Sequence, residues 1–541
     1  MRLEPSSIRK IELWFAGVLT GLIAFLQIYR ASQVGPLWRD EIASLGVATM
    51  PSLGELWASL PHECCSVLPY LLLRFWTGLP ALGGEAGLRI LSAVVTLGIL
   101  PALWFHRKAL GYNAPLFSLI LFGLNPNVVV WLAPIRGYTL GVLFLLLAWG
   151  LIWKVAQSPS KSRVSLAAMA SVLSVQCLYQ NAFFLFAICL GASFVCVRKQ
   201  RWNHLPAVLG VGAVAAASLL PYLPIIQEAR ELLVVAEGPD TWAYLMQRLY
   251  ETVTADSQLL LWTWIICVGL CVLIGGFLWT YKPGDPEREE ISDRSLFNLT
   301  VLVVGITLFL GFLKSTHLHT NPWYYLILMA AVAVSLDVGL EPAANAAGTR
   351  LARLAAVGVL AAVMFPFAWT LAPARYTNVD LIAAAMEEHA AEDDLIILNP
   401  YWFGISFQHY YQGKTKWVAI PPIDDLTINR FDLLKDQMTT LNPLTDLWVE
   451  IEQKLRAGKR VWVIGQLLYP KGELPYFFPP APNGPAGWHL DAYLVSWSAQ
   501  LGYFLREHSV QSGVVPLSAM NGIQFIPGVE VPVVQISQGW R

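Results

Sequence analysis

The sequence predicts a polytopic α-helical membrane protein with a soluble α/β domain towards its C-terminal end, and three observations predict it. Of 541 residues, 56% are hydrophobic and only 13% charged, against about 25% charged in ordinary soluble proteins. Apolar runs long enough to cross a bilayer recur between residues 11 and 371. From residue 372 onward charged residues become common, and apolar runs of strand length alternate with helical ones. The formal net charge of −1 excludes a nucleic-acid binder that depends on bulk positive charge.

The first apolar run, 11–29, has no small-residue cleavage pattern and is followed by Arg30, so it reads as a retained anchor and not a removed signal peptide. Residues 30–87 form the first outer loop. Within it, 68–79 mixes Trp, Tyr and Arg with leucine and is short for a crossing, which suits a helix lying in the membrane interface. Further spans are expected at 88–105, 112–126, 138–155, 165–179, 181–197, 205–221, 257–280, 296–313, 323–337 and 353–371, giving about eleven. On that count the inner segments carry most of the Lys and Arg, among them Arg9, Lys10, Arg107, Lys108, Lys154, Arg198, Lys199 and Arg201. Positive-inside bias then puts the N-terminus in the cytoplasm and the C-terminal domain outside it. Five of the seven cysteines (Cys177, Cys189, Cys196, Cys267 and Cys271) sit in apolar runs and read as small buried hydrophobes. The vicinal pair Cys64 and Cys65 is not expected to bridge, because that ring is strained.

The chain thus divides into a membrane module, 1–371, and a soluble domain, 372–541. In the latter, Leu395–Leu398, Trp417–Ile420 and Val461–Gly465 read as strands, with helical runs at Phe403–Tyr411, Leu444–Leu455 and Ala492–Glu507. The proline-rich stretch Pro470–Pro485 reads as a surface loop. No glycine-rich turn follows the first strand, so no nucleotide site is expected there.

Candidate chemistry gathers in the outer loops. Asp40 and Glu41 follow the first span closely, where carboxylates stay ionised without burial in hydrocarbon; Asp40 is a candidate base, and Glu41 a group that orients a neighbour or holds a cation. Read alone, the pair is a solvated acidic turn. Arg136, in Trp131-Leu132-Ala133-Pro134-Ile135-Arg136-Gly137-Tyr138, has a planar fork that suits a phosphate, with Tyr138 beside it; the bland alternative is snorkelling to headgroups. The late outer loop from Lys314 to Tyr325 is dense in donors, and Lys314, His317 and His319 are candidates to neutralise a phosphate. The two histidines with Asp40 form a further candidate metal set. His62 and Glu63 offer another ligand or base pair, and Arg89 is expected to pair with Glu85 one turn earlier.

These residues, in this order, resemble the C-type (GT-C) membrane glycosyltransferases, in the bacterial branch similar to dolichyl-phosphate-mannose protein mannosyltransferases and the aminoarabinose lipid A transferase. The resemblance rests on Leu37-Trp38-Arg39-Asp40-Glu41, Glu85-Ala86-Gly87-Leu88-Arg89, Asn125-Pro126, Arg136-Gly137-Tyr138, Tyr179-Gln180-Asn181 and Pro221-Tyr222-Leu223-Pro224, over roughly residues 10–370. It implies a GT-C-like fold in a bacterial inner membrane with the C-terminal domain periplasmic. It also implies transfer of a sugar from a polyprenyl-phosphate donor to a lipid, glycan or protein acceptor. By position, Asp40 matches the first-loop aspartate, Arg136 a basic residue near the carrier phosphate, and Lys314–Tyr324 the late loop that reaches that phosphate. The chain departs from the pattern at Cys65-Ser66-Val67-Leu68-Pro69-Tyr70, at Ala133-Pro134-Ile135-Arg136, which lacks an acid, and at Trp323-Tyr324. No cofactor is expected, because arginine or lysine can offset leaving-group charge, with a divalent cation as the alternative. Other readings are an oligosaccharide or polysaccharide ligase of the same class, a transporter, and a non-catalytic scaffold. Against a transporter, no inverted repeat is visible.

Overall fold

The computed structural model describes residues 5–63, 65–232, 241–255, 257–279, 286–316, 319–344, 347–469, 477–482 and 488–541. The chain divides into two compact units. The first comprises Met1–Gln33, Cys65–Leu223 and Pro239–Pro373; the second comprises Val34–Cys64, Pro224–Gly238 and Ala374–Arg541.

Among the described residues, eight helices are long and apolar enough to cross a membrane: Ser7–Gln33, Glu85–Ala109, Gly137–Gln157, Asn181–Arg198, Leu205–Leu232, Glu289–Thr316, Pro322–Leu340 and Ala347–Leu371. Trp242–Thr254 and Gln258–Ile274 together make a ninth if they act as one bent span. Two expected spans take another form. Segment 112–126 is broken into a short helix Leu116–Ser118, a π turn Leu119–Gly123 and a helix Pro126–Trp131. Pro115 and Pro126 each open a new helical piece, and Asn125 caps the second by accepting from the Asn127 and Val128 amides at 3.0 and 3.3 Å. Segment 165–179 falls on the helix Lys161–Val175, whose 15 residues reach only about 22 Å of the roughly 30 Å hydrocarbon core. The helix Leu68–Thr77 has 10 residues, about 15 Å, also too short to cross. Ahead of it, Ser66 Oγ donates to Val175 O at 2.7 Å and the Leu68 amide to Gln176 O at 3.0 Å, which fixes where that helix starts.

The first unit is helical and is organised around Pro322–Leu340, which is apolar on all sides and almost wholly buried. One buried cluster of charge in it is balanced. Glu12 accepts from Arg350 at 2.8 Å and from Arg353 at 2.5 Å, while Glu341 meets Arg107 and Arg353 and lies 3.7 Å from Arg350. Asp337, buried in the last turn of the central helix, accepts from the Phe117 and Ser118 amides at 2.8 Å each and from the Ser118 hydroxyl. It therefore satisfies the orphan N–H groups of the broken segment, a task a capping side chain performs at any helix start.

The second unit carries two sheets built from β1 (Arg375–Thr377), β2 (Leu395–Asn399), β3 (Lys416–Ala419), β4 (Arg460–Gly465), β5 (Ser509–Val515), β6 (Phe525–Glu530) and β7 (Val534–Trp540). β1 and β6 pair in parallel; the five-stranded sheet runs β3-β2-β4-β7-β5, with β3, β2 and β4 parallel and β7 antiparallel to both its neighbours. One face buries Ile396, Leu398, Trp462, Ile464 and Val534 against Ile382, Met386 and Phe407 of the helices Val379–His389 and Phe403–Tyr410. At the end of β4, Gly465 has φ +133°, and a Cβ there would lie 1.6 Å from Asn399 O, so only glycine fits. The runs expected at 395–398, 417–420 and 461–465 match β2, β3 and β4. The last three strands escape sequence reading because Gln, Ser and Gly interrupt any clean alternation.

Residues 34–64, which sequence reading leaves with the membrane module, belong to this unit. Their helix Arg39–Ala48 docks through Gly46, where a Cβ would come within 2.3 Å of Thr427 O. Tyr410 Oη secures the approach by donating to Leu37 O at 2.9 Å.

Candidate functional site

In the second unit, the chemistry starts at the first turn of Arg39–Ala48. Trp38 has an extended backbone and precedes the helix; the Glu41 carboxylate turns back to accept the Trp38 amide at 3.3 Å. Glu41 is 1% exposed, so its place in the structure is that of a helix cap. Arg39 donates through Nε to Asp40 Oδ1 at 2.9 Å, and its guanidinium lies between the rings of Trp38 and Trp402, 5.7 and 5.9 Å from their centroids. Burial alone would lower the Arg39 pKa, but Asp40 and then Glu530 outweigh it and the net direction is up. Asp40 retains 7% exposure.

Glu530, from the end of β6, reaches the same place and escaped sequence reading. Its Oε2 accepts the Arg39 amide at 3.1 Å, and Ser406 Oγ donates to Oε1 and Oε2 at 2.8 and 2.9 Å. Burial pushes its carboxyl up to about 7, although Arg39, Ser406 and Thr377 all favour the charged form. Glu530 and Asp40 therefore both contact Arg39, the first through its backbone amide and the second through its guanidinium.

His62 ends the short turn Leu60–His62 and faces Asp432, 3.9 Å away. Asp432 is already held by Arg430 at 2.6 Å, and Arg430 also binds Asp425. Burial holds the His62 imidazole below its ordinary pKa, and Arg430 adds to this while Asp432 opposes it. Glu63 is buried beside it in sequence.

In the first unit, Arg136 occupies the N-cap of Gly137–Gln157 with an extended backbone. A guanidinium and the positive end of a helix dipole thus coincide, which is the arrangement that favours an anion. Its carbon lies 5.6 Å from the Tyr138 centroid, Tyr138 meets Tyr324 edge-on at 5.8 Å, and Trp323 meets Trp131 at 4.5 Å. A largely apolar groove with about 30 Å³ of open space runs past Arg136, bordered by Leu73, Ser92, Leu132, Thr139 and Leu140. Arg136, Tyr138 and Tyr324 are thus brought together as one aromatic and basic cluster.

The other late-loop residues are arranged nearby in sequence but around a different cation. His319 Nε2 lies 3.2 Å from Arg248, which also binds Glu251 at 2.9 Å, and the Thr320 amide donates to Tyr244 Oη at 3.1 Å. Arg248 is a second basic candidate, one that sequence reading did not single out. Lys314 closes the last turn of Pro286–Thr316, and Arg89 is buried in the second turn of Glu85–Ala109. His317 lies outside the described residues. Among the described residues, no three His, Cys, Asp or Glu side chains are grouped to hold a metal ion.

No protein-family model matches the sequence, and no curated protein does. Two solved structures are similar to the chain over most of its length. A crystal structure of ArnT from Cupriavidus metallidurans bound to undecaprenyl phosphate aligns with a TM-score of 0.46 and 15% identity, covering 83% of this chain and 92% of that one. The Archaeoglobus fulgidus oligosaccharyltransferase, crystallised with zinc and sulfate, aligns with a TM-score of 0.45 and 11% identity, over 82% of this chain and 68% of that one. At these scores the likeness carries no residue role across.

Proposed function

We propose that this protein is a C-type membrane glycosyltransferase that moves a sugar from a polyprenyl-phosphate carrier to a hydroxyl acceptor. The observation that carries the reading is Asp40: a carboxylate on the first turn of the first-loop helix, fixed by Arg39 Nε at 2.9 Å and 7% exposed. The acceptor oxygen attacks the anomeric carbon, Asp40 takes its proton, and the bond to the carrier phosphate breaks with the electron pair going to the phosphate oxygen. Within the helical unit, Arg136 at a helix N-terminus is the basic residue whose setting suits a phosphate, with Lys314 and Arg248 as further basic side chains of that unit. The order of sequence motifs supports this class. The bacterial inner membrane and a periplasmic α/β unit are parts of the same proposal; a reporter fused after residue 541 should then read as outside the cytoplasm.

The test uses purified full-length protein in nanodiscs with a panel of synthetic polyprenyl-phosphate sugars, comparing wild type with Asp40→Asn. The expected result is a loss of transfer or hydrolysis of about 10²- to 10⁴-fold, the usual contribution of a positioned base. Equal turnover in both proteins would remove Asp40 from that role.

A further inference from the structure

Glu530 is 1% exposed, and its carboxylate meets both the element that carries Asp40 and the helix that supports that element. Its Oε2 accepts the amide of Arg39, the residue immediately before Asp40, across 491 residues of sequence. Ser406, on the helix that packs against Arg39–Ala48, donates to both of its oxygens at 2.8 and 2.9 Å. On the β1 side the Asn378 amide donates to the Glu530 backbone carbonyl at 3.4 Å, which fixes the end of the strand. The charged and titratable groups facing this cluster are Arg39, Asp40 through Arg39, and Tyr401, whose buried hydroxyl is pushed well up.

We propose that Glu530 is a positioning residue for Asp40: from strand β6 its carboxylate holds the backbone amide of Arg39 and so clamps the N-terminus of the first-loop helix, while the Arg39 guanidinium stays with Asp40. The inference rests on Asp40 being the base. A carboxylate whose only task was to hold the fold together would be expected to be comfortable when charged. Burial instead pushes Glu530 up to about 7, above the ordinary glutamate value near 4.3. The sign follows from linkage. A carboxyl raised in the folded state contributes stability that is complete below the unfolded pKa and is lost as pH rises through about 7. At pH 8 the charged glutamate therefore costs stability, and its neutral isostere should relieve that cost while weakening the clamp.

The experiment compares wild type, Glu530→Gln, Ser406→Ala and Asp40→Asn as full-length proteins in nanodiscs at pH 6 and pH 8. It has three readouts: hydrogen exchange of the 37–45 segment, thermal stability, and turnover with the polyprenyl-phosphate sugar panel. The expected result for Glu530→Gln at pH 8 is about tenfold faster exchange at the Arg39 end, an unchanged or raised melting temperature, and kcat lowered about tenfold with little change in KM. Ser406→Ala should move exchange in the same direction by a smaller factor. The proposal is overturned if exchange in 37–45 is unchanged in Glu530→Gln, or if melting temperature at pH 8 falls together with turnover, as for a merely structural residue. If Asp40→Asn keeps wild-type turnover while Glu530→Gln still loosens the segment, the clamp stands and the base assignment fails. The two readings are thereby separated.

Discussion

In the helical unit Glu12 and Glu341 are met by three arginines, Arg107, Arg350 and Arg353, whereas in the α/β unit Asp40 pairs with the Arg39 guanidinium and Glu530 is held by the Arg39 amide and the Ser406 hydroxyl. Both clusters are buried and both join residues far apart in the chain. The first has a cation for every acid, and Asp337 beside it spends its lone pairs on backbone amides and Ser118. Such a set is a fastener, because each charge taken from water is compensated where it lies. The second is short of positive charge, and one of its acids is forced towards neutrality by burial. Imbalance of that kind is disfavoured by folding and is tolerated where proton affinity has a use. The difference teaches that burial of charge by itself does not mark a site.

Four substitutions would break or sharpen this contrast. Asp40→Asn should give the largest loss, about 10²- to 10⁴-fold in transfer, with melting temperature near wild type; an equally large drop in stability would place Asp40 among the fasteners. Arg353→Ala should do the reverse. Leaving Glu12 and Glu341 short of a partner in a buried network costs about 3–5 kcal/mol, read as a lower unfolding midpoint in detergent, while the activity of the folded fraction stays within about twofold. Gly46→Ala tests whether the first-loop helix depends on its dock at Thr427. The 2.3 Å approach leaves no room for a methyl group, so stability of the α/β unit should drop by about 1–3 kcal/mol, and turnover should fall through the displaced Asp40. Lys416→Ala, which removes the solvent-exposed pair with Glu450, should cost under about 1 kcal/mol and leave transfer unchanged. A large effect there would mean that surface pairs in this unit matter more than their geometry allows.

Much of the architecture could be read from the chain before folding. The apolar runs at 88–105, 138–155 and 181–197 became helices close to those limits, because hydropathy is summed over neighbours in sequence and hydrocarbon demands about 20 such residues in a row. Segments 112–126 and 165–179 passed the same test by composition and took shorter forms, since Pro115, Pro126 and the cap at Asn125 interrupt the first and the second stops at Val175. Asp40 stood out because an acid close to a span is costly unless it has a task, and Arg136 because a guanidinium there suits a phosphate. Arg248 and Glu530 did not, because nothing in their neighbours marks them.

By itself the sequence determined that the protein is built largely of membrane-length helices, that a mixed α/β region follows residue 372, and that an acidic pair sits just beyond the first span. These are consequences of local composition, which needs no knowledge of the fold. Only the tertiary structure decided that residues 34–64 join the α/β unit, that Glu41 caps its own helix, and that Glu530 lies against Arg39. Hydrogen bonds and ion pairs depend on distances of about 3 Å between atoms, and a separation of 491 residues leaves no trace of such a distance in the order of the amino acids.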